Sequence, residues 1–270
     1  MSQYYKVPRT RGLYEKKSSD PFKISRSKLE LSIECPRCFY IDRVLGIGRP
    51  PGFPFNLNSA VDTLLKKEFD AHRRAGTKHP LMEHYNIEAV PIAHEDLDDW
   101  RQNFTGIQVL HEPTNFIVFG AIDDLWQNEE GEYVVVDYKA TSKSGKIEAL
   151  DQDWHDGYKR QMEIYQWLLR QRGYDVSDTG YFVYANGDTD KEAFDARLEF
   201  DVTVISYDGN DEWVEQAILE AKDIMDGDDI PAASRDCDYC TFFNERSKVE
   251  KKKPKTTNKK ETTPQQEALL

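Results

Sequence analysis

Long apolar runs are missing from this sequence of 270 residues. No stretch approaches the roughly 18 consecutive apolar residues that a membrane-spanning helix requires. The first 17 residues are basic and aromatic but contain no apolar segment, so they lack the pattern of a secretory signal. These two absences lead us to expect a cytoplasmic protein without a membrane-embedded part.

An excess of positive charge is missing as well, since the formal net charge is −13. This balance argues against a protein that coats nucleic acid by charge alone, although a local field can still hold phosphate. Hydrophobic residues at 39% and aromatic residues at 12% suffice for a folded core. Positive charge is concentrated from Arg246 onwards, where eight Lys/Arg face three Asp/Glu. We interpret residues 246–270 as a disordered basic tail, which either raises affinity for nucleic acid or merely solubilises the terminus.

Cysteine is scarce, and the four present form two C-x-x-C pairs, Cys35/Cys38 and Cys237/Cys240. In a cytoplasmic chain such pairs favour a metal site over disulfide bonds. Four thiolates accept Zn²⁺ and an iron–sulfur cluster equally well. The alternative is four unbound thiols. We expect a shared four-cysteine site with a structural role, because it would close a long loop of chain.

The periodicity of apolar residues predicts an α/β fold with a mixed sheet. Residues 1–24 form a flexible lead-in, residues 25–245 one domain, and residues 246–270 the tail. The predicted helices cover 25–38, 58–76, 96–104, 156–172 and 210–226, and the predicted strands cover 116–123, 133–139, 180–186 and 197–206.

The predicted hairpin of 116–123 and 133–139 carries unusual charges at its end. Side chains alternate along a strand, so Asp137 and Lys139 share one face. A bulge at Gly131 would place Asp123 opposite Asp137, and facing side chains lie about 4.5–5.5 Å apart at Cβ. Two carboxylates this close repel unless a proton or cation lies between them, which favours a magnesium site with Lys139 beside it. The alternative is a solvent-facing hairpin with a weak surface ion pair, and Asp124 is expected on the opposite, solvated face.

These residues resemble a known family. Gly120-Ala121-Ile122-Asp123 followed by Val136-Asp137-Tyr138-Lys139 is similar to the core of the PD-(D/E)XK nucleases, closest to their RecB-like branch, which includes CRISPR-associated adaptation exonucleases. The resemblance implies a restriction-endonuclease-like core with a mixed central sheet flanked by helices. It also implies that Asp123 and Asp137 are metal ligands, that Lys139 is catalytic, and that the main-chain carbonyl of Tyr138 is a further ligand.

The resemblance extends to other segments. The branch often has Gln and Tyr four residues apart after the hairpin, as in Gln161 and Tyr165, where they help place nucleic acid. Tyr165 equally fits a core position. The histidine that the branch carries on the helix before the hairpin is Asp62 here, whose carboxylate still suits Mg²⁺ or Mn²⁺; the alternative for Asp62 is an exposed helix acid. Some members hold a [4Fe–4S] cluster with one early and three late cysteines, whereas this chain has two and two.

The sequence therefore predicts a Mg²⁺- or Mn²⁺-dependent deoxyribonuclease in DNA repair, recombination or processing, with DNA as its partner. One alternative is a non-catalytic nucleic-acid-binding module of the same fold, stabilised by a four-cysteine metal site. Another is a cysteine-metal interaction protein in which the hairpin is incidental.

Overall fold

The computed structural model describes residues 8–52 and 54–251, and the chain forms two compact units, residues 1–234 and 235–270. In the first unit the described helices are α1 (Arg26–Glu34), α2 (Pro36–Arg43), α3 (Asn56–Ala75), α4 (Pro80–His84), α5 (Leu97–Trp100), α6 (Asp156–Gln171) and α7 (Glu212–Asp226). Its strands are β1 (Phe22–Ser25), β2 (Ala89–Pro91), β3 (Ile107–His111), β4 (Phe116–Gly120), β5 (Asp124–Asn128), β6 (Tyr133–Thr141), β7 (Thr179–Gly187) and β8 (Phe200–Asp208). The second unit contributes α8 (Asp238–Lys251). No helix within the described ranges has both the length and the apolar character needed to cross a bilayer.

The strands form two mixed sheets. The smaller sheet has the order β1-β4-β3, and the larger has the order β2-β5-β6-β7-β8. In the larger sheet β6 runs parallel to β7, whereas the pairs β2/β5, β5/β6 and β7/β8 are antiparallel. A mixed sheet with helices packed on it is the predicted α/β architecture, which is confirmed.

The prediction of one strand over 116–123 is wrong, because this segment is divided between the two sheets. β4 ends at Gly120 in the smaller sheet, and β5 begins at Asp124 in the larger one. The bend between them is fixed by a hydrogen bond from the amide of Ile122 to the carbonyl of Trp100 (3.1 Å). Asp123 therefore lies in a bend between two strands, where its side chain is not confined to one sheet face.

The predicted helix over 25–38 is also interrupted. Cys35 is extended, with φ −159° and ψ 103°, and Pro36 opens α2. Proline disfavours the helical conformation of the residue before it, and it is well tolerated at the first position of a helix. The Cys-Pro dipeptide thus ends one helix and starts the next.

The core lies on both faces of the larger sheet, and β6 separates its two parts. Val135 packs into a cluster with residues of α1, α6 and α7. Val134, Val136 and Tyr138 belong to a second cluster with Leu65 and others of α3. The strand is therefore covered on both sides, as expected for a strand that is apolar at consecutive positions.

The two ends of the described chain are more ordered than predicted. Tyr14 is buried and β1 begins at Phe22, so part of the predicted lead-in 1–24 is structured. Helix α8 continues to Lys251, so residues 246–251 of the predicted disordered tail are helical. The remainder of the predicted tail lies outside the described residues.

Candidate active site

Strand β6 carries an acid and a base on the face that packs towards α6. The side chain of Asp137 is fully buried, and one of its oxygens forms an ion pair with the ammonium of Lys139. The amide of Gln161, on α6, donates to the other oxygen at 2.7 Å. Asp137 is therefore held between a cation and an amide, and it is no part of a solvent-facing hairpin.

Asp123 lies next to this pair. β5 and β6 pair with Asp124 beside Val136, so one further step of the same register brings Asp123 level with Asp137. The main-chain amide of Tyr138 donates to Oδ2 of Asp123 at 2.9 Å. This bond fixes the carboxylate of Asp123 at the end of β6, on the bend that separates β4 from β5.

Helix α3 brings a third carboxylate to the same place. Asp62 is half-buried on α3, and the ammonium of Lys66, one turn later, lies 2.9 Å from it. The same ammonium lies 3.1 Å from Oδ1 of Asp123. Lys66 therefore bridges Asp62 and Asp123, and the structure brings Asp62 close to Asp123.

The electrostatics reflect three acids and two lysines in a partly dry site. Burial raises the pKa of Asp137 to about 6, where the nearby Lys139 opposes the rise and Asp123 adds to it. Burial also raises the pKa of Asp62, and the charge of Asp123 adds to the effect. Burial opposes charge on Lys66 and Lys139, but their carboxylate partners raise both pKa values above the ordinary lysine value. Crowded carboxylates with raised pKa values favour the binding of any cation placed between them.

Gln161 and Tyr165 lie on one face of α6, as their spacing predicts, and both are buried. The side-chain amide nitrogen of Gln161 also donates to the hydroxyl of Tyr165 at 3.1 Å. The side-chain oxygen of Gln161 accepts from the ammonium of Lys139 at 3.4 Å. A Cβ on Gly120 would lie only 2.6 Å from the ring of Tyr165. Gly120 is thus required for the close approach of α6 to the bend that carries Asp123.

Asp62 and Asp123 border an open cleft of about 320 Å³. Its walls come from the start of α3, the bend after β4, the end of β6 and the start of α6. The side-chain amide of Asn58 closes one wall with a bond of 2.5 Å to the carbonyl of Ala140. The residues that line the cleft are Phe55, Asn58, Ser59, Val61, Asp62, Leu65, Asp123, Tyr138, Lys139, Ala140 and Tyr158.

The expectation that Asp124 is solvated is wrong. Asp124 is fully buried, and its carboxylate is paired with the guanidinium groups of Arg73 and Arg101. Its other oxygen accepts from the hydroxyl of Tyr138 at 2.6 Å and from the indole of Trp126 at 3.2 Å. The Asp-Asp sequence therefore supplies one carboxylate to the cleft and one to a buried ion cluster behind it.

Two further residues of the site escaped the sequence interpretation. Lys66 could have been recognised from its position four residues after Asp62, the spacing of a helical ion pair. Arg101 donates to the main-chain carbonyl of Asp123 at 3.0 Å and to both oxygens of Asp70 on α3. Arg101 gave no signal in the sequence, because its partners lie 22 and 31 residues away along the chain.

The four cysteines occupy the two predicted pairs of positions. Cys35 is buried in the break before α2 and Cys38 lies in α2, while Cys237 is buried just before α8 and Cys240 lies in α8. The grouping of the two pairs into one metal site stays a prediction.

The lysines of the basic tail lie apart from the site residues above in sequence. Lys248 and Lys251 belong to α8, where Lys248 pairs with Glu245 at 2.6 Å. Lys252, Lys253, Lys255, Lys259 and Lys260 lie outside the described residues.

Comparison with known proteins adds one finding. The family model of the PD-(D/E)XK nuclease superfamily matches residues 54–244, which is more than half of the chain and includes all of the cleft residues. No curated protein matches the sequence. The matched segment begins before α3 and ends within α8, and it carries the converging acids and the lysine described above. The chain therefore belongs to the PD-(D/E)XK nuclease superfamily.

Proposed function

We propose that this protein is a metal-dependent nuclease that hydrolyses phosphodiester bonds of DNA with Mg²⁺ or Mn²⁺. The observation that carries the proposal is the convergence of Asp123 and Lys139, which line a cleft, with the buried Asp137 that pairs with Lys139, within a chain of a nuclease superfamily. Opposed carboxylates beside a lysine have no evident purpose in a purely structural hairpin, because their repulsion costs stability.

The residues fit a hard divalent ion. Asp62, Asp123 and Asp137 offer carboxylate oxygens, which magnesium and manganese prefer, and the main-chain carbonyl of Tyr138 is a fourth candidate. The ammonium of Lys66, shared by Asp62 and Asp123, shows that these two acids already converge on a positive charge. A metal held here would polarise a phosphoryl oxygen and lower the pKa of its bound water.

The chain's own residues supply the remaining roles. Lys139 stabilises negative charge that develops on the phosphorus oxygens, or orients the attacking water. Its ammonium is aimed by the ion pair with Asp137 and by the carbonyl oxygen of Gln161. Tyr165 fixes Gln161 through its hydroxyl, so both act on the substrate site through the residues they position. Placement of this kind matters because small misalignments of a reacting group cost rate.

We further propose that the chain belongs to the RecB-like branch and acts in DNA repair, recombination or processing in the cytoplasm. The Gln161/Tyr165 pair and the two C-x-x-C pairs of the sequence support this assignment. A [4Fe–4S] cluster or Zn²⁺ at the cysteines would have a structural role. The thiol ligands of such a site are compatible with a reducing compartment.

The test is manganese-dependent cleavage of end-labelled linear and circular DNA, single- and double-stranded, by the wild-type protein and by Lys139→Ala. We expect cutting by the wild type and its loss in the variant, and the circular substrates distinguish endonuclease from exonuclease action. Lys191→Ala is the matched control, because Lys191 is exposed and paired with Glu199 at 2.9 Å outside the cleft lining. No cutting by folded, manganese-supplied wild type would refute the proposal.

One observation favours the second candidate, a non-catalytic nucleic-acid-binding module. Lys66 already neutralises Asp62 and Asp123, and an ion pair of this kind can replace a metal. That function predicts DNA binding without cleavage and no heat of manganese binding in a titration. The two candidates therefore differ in a single calorimetric experiment.

A further inference from the structure

An exposed aromatic ring lies beside the cleft. Trp154 is in the short 3-10 turn that leads into α6, and 44% of its surface is exposed. Exposed tryptophan is costly, since its large apolar surface gains from burial. The exposed part of this side chain is available to a ligand.

A cation lies over this ring. The ammonium of Lys143 is 3.9 Å from the centroid of the Trp154 ring. The loop that carries Lys143 is held by the buried amide of Asn186, which accepts from the amide of Lys143 at 2.8 Å. Asn186 also donates to the carbonyls of Lys143 and Gly145, both at 2.9 Å. The main chain under Lys143 is therefore fixed before any ligand arrives.

The Trp154 ring also contacts a buried histidine. The imidazole of His155 lies 3.7 Å from the Trp154 ring, centroid to centroid, and its Nδ1 accepts from the amide of Gln152 at 3.1 Å. Burial lowers the pKa of His155, and the charge of Lys143 lowers it further. The buried imidazole of His155 thus packs against the tryptophan, and its lowered pKa disfavours a positive charge there.

The aromatic surface continues into the cleft. The ring of Tyr158 lies 5.5 Å from that of Trp154 in an edge-to-face arrangement. Tyr158 lines the cleft, and the ammonium of Lys139 lies 4.4 Å from its ring centroid. Two aromatic rings and two lysines therefore form a path from the proposed catalytic lysine to the exposed Trp154.

We propose that Trp154 and Lys143 form a stacking site for an unpaired nucleobase of the strand bound in the cleft, with Lys143 near its phosphate. Aromatic rings combined with cations are the physical means by which proteins hold single strands, because every base has a face that can stack. Inside a duplex both faces of a base are covered by its neighbours, so this site takes a single strand or a frayed end. That the bound strand is also cut in the cleft rests on the proposed nuclease function, whereas the binding of a base at Trp154 does not.

The experiment measures binding without cleavage. Fluorescence anisotropy with a labelled 12-residue thymidine oligonucleotide, with calcium as the only added divalent ion, gives the Kd of the wild type and its variants. We expect Trp154→Ala to weaken binding roughly tenfold, and Trp154→Phe to keep most of it. Phe104→Ala is the matched control, since Phe104 is an exposed aromatic residue outside the cleft lining, and its Kd stays that of the wild type.

A second oligonucleotide separates stacking from charge. With a 12-residue abasic strand, which has the phosphates but no bases, we expect the Trp154→Ala effect to vanish, whereas Lys143→Ala weakens binding of both strands. The stacking site is refuted if Trp154→Ala and Phe104→Ala bind thymidine strands equally, if the loss persists on the abasic strand, or if the wild type binds neither strand.

The cleavage assay keeps this proposal distinct from the nuclease proposal. Trp154-dependent binding without cleavage in manganese would support the stacking site and refute the nuclease. Cleavage with no Trp154 dependence of the thymidine Kd would refute the stacking site alone.

Discussion

Two groups of acids lie on either side of the β5/β6 hairpin, and they are neutralised in different ways. Asp124 is fully buried and is held by two guanidinium groups, those of Arg73 and Arg101. Asp137 is equally buried but is held by one ammonium, that of Lys139. Asp124 also accepts bonds from the hydroxyl of Tyr138 and the indole of Trp126.

The difference between arginine and lysine explains what each group is for. A guanidinium is planar, permanently charged and able to hold two oxygens, so it fixes a carboxylate rigidly. An ammonium is a compact, mobile charge that can be exchanged for another cation or turned to a substrate. The arginine-bound Asp124 therefore stabilises the scaffold, whereas Asp137 and Asp123, bound by lysines, remain available for chemistry.

The largest effect that tests this comparison is the loss of activity in Asp137→Ala. We expect cleavage in manganese to fall at least about 10³-fold, because the change removes a proposed metal ligand and the partner of Lys139. The fold should survive, since the removed group is a carboxylate whose burial is costly. Cleavage rates on labelled DNA measure the activity, and far-UV circular dichroism measures the survival of the fold. Substantial activity in a folded Asp137→Ala protein would contradict the assignment.

The neighbouring acid should show the opposite pattern. Asp124→Ala removes the buried one of the two carboxylates that Arg73 and Arg101 share, since Asp70 remains, and this costs about 3–5 kcal/mol. We expect a fall of roughly 10 °C in the melting temperature, measured by thermal denaturation. Asp98→Ala is the control, because Asp98 is an exposed acid on α5. A melting temperature equal to that of the control would mean that Asp124 has no scaffold role.

The contrast between the two acids also shows what the sequence could predict. Alternation along residues 133–139 correctly separated the faces of β6, and the spacing of Gln161 and Tyr165 correctly placed both on one helix face. These patterns are local and follow from the period of the element. The convergence of Asp123 and Asp137 followed from the register, which the position of Gly131 indicated.

What the sequence could not predict depends on partners far along the chain. The bend at 121–123 requires Gly120 because Tyr165, 45 residues later, packs against it. Asp124 is buried because Arg73 lies 51 residues before it and Arg101 lies 23 residues before it. No local pattern distinguishes such an acid from a solvated one, so the environment of Asp124 was predicted wrongly while that of the adjacent Asp123 was not.

A smaller effect concerns pH in the metal-free protein. The folded pKa of Asp137 is raised to about 6, above the ordinary value of 3.8. The folded state therefore binds more protons than the unfolded state between these values, and the stability present below pH 3.8 is lost as pH rises through about 6. Asp137→Asn cannot lose this proton. We expect the variant to gain stability over the wild type by about 2–3 kcal/mol between pH 4 and pH 7. Urea denaturation at pH 4 and pH 7 measures the free energy of unfolding of both proteins. If the difference between the variant and the wild type is the same at the two pH values, the raised pKa is contradicted.

The smallest effect tests whether the lysines are exchangeable. Lys66 shares its ammonium between Asp62 and Asp123, the two acids that would otherwise face a divalent ion. Removing a competing cation that contributes about 1 kcal/mol should tighten manganese binding by roughly fivefold. We therefore expect Lys66→Met to lower the Kd for Mn²⁺ in calorimetry, whereas Lys67→Met, a change of the neighbouring exposed lysine, leaves it unaltered. If Lys66→Met instead weakens manganese binding, the lysine helps to assemble the site, and the distinction drawn between exchangeable lysines and fixed arginines fails at this position.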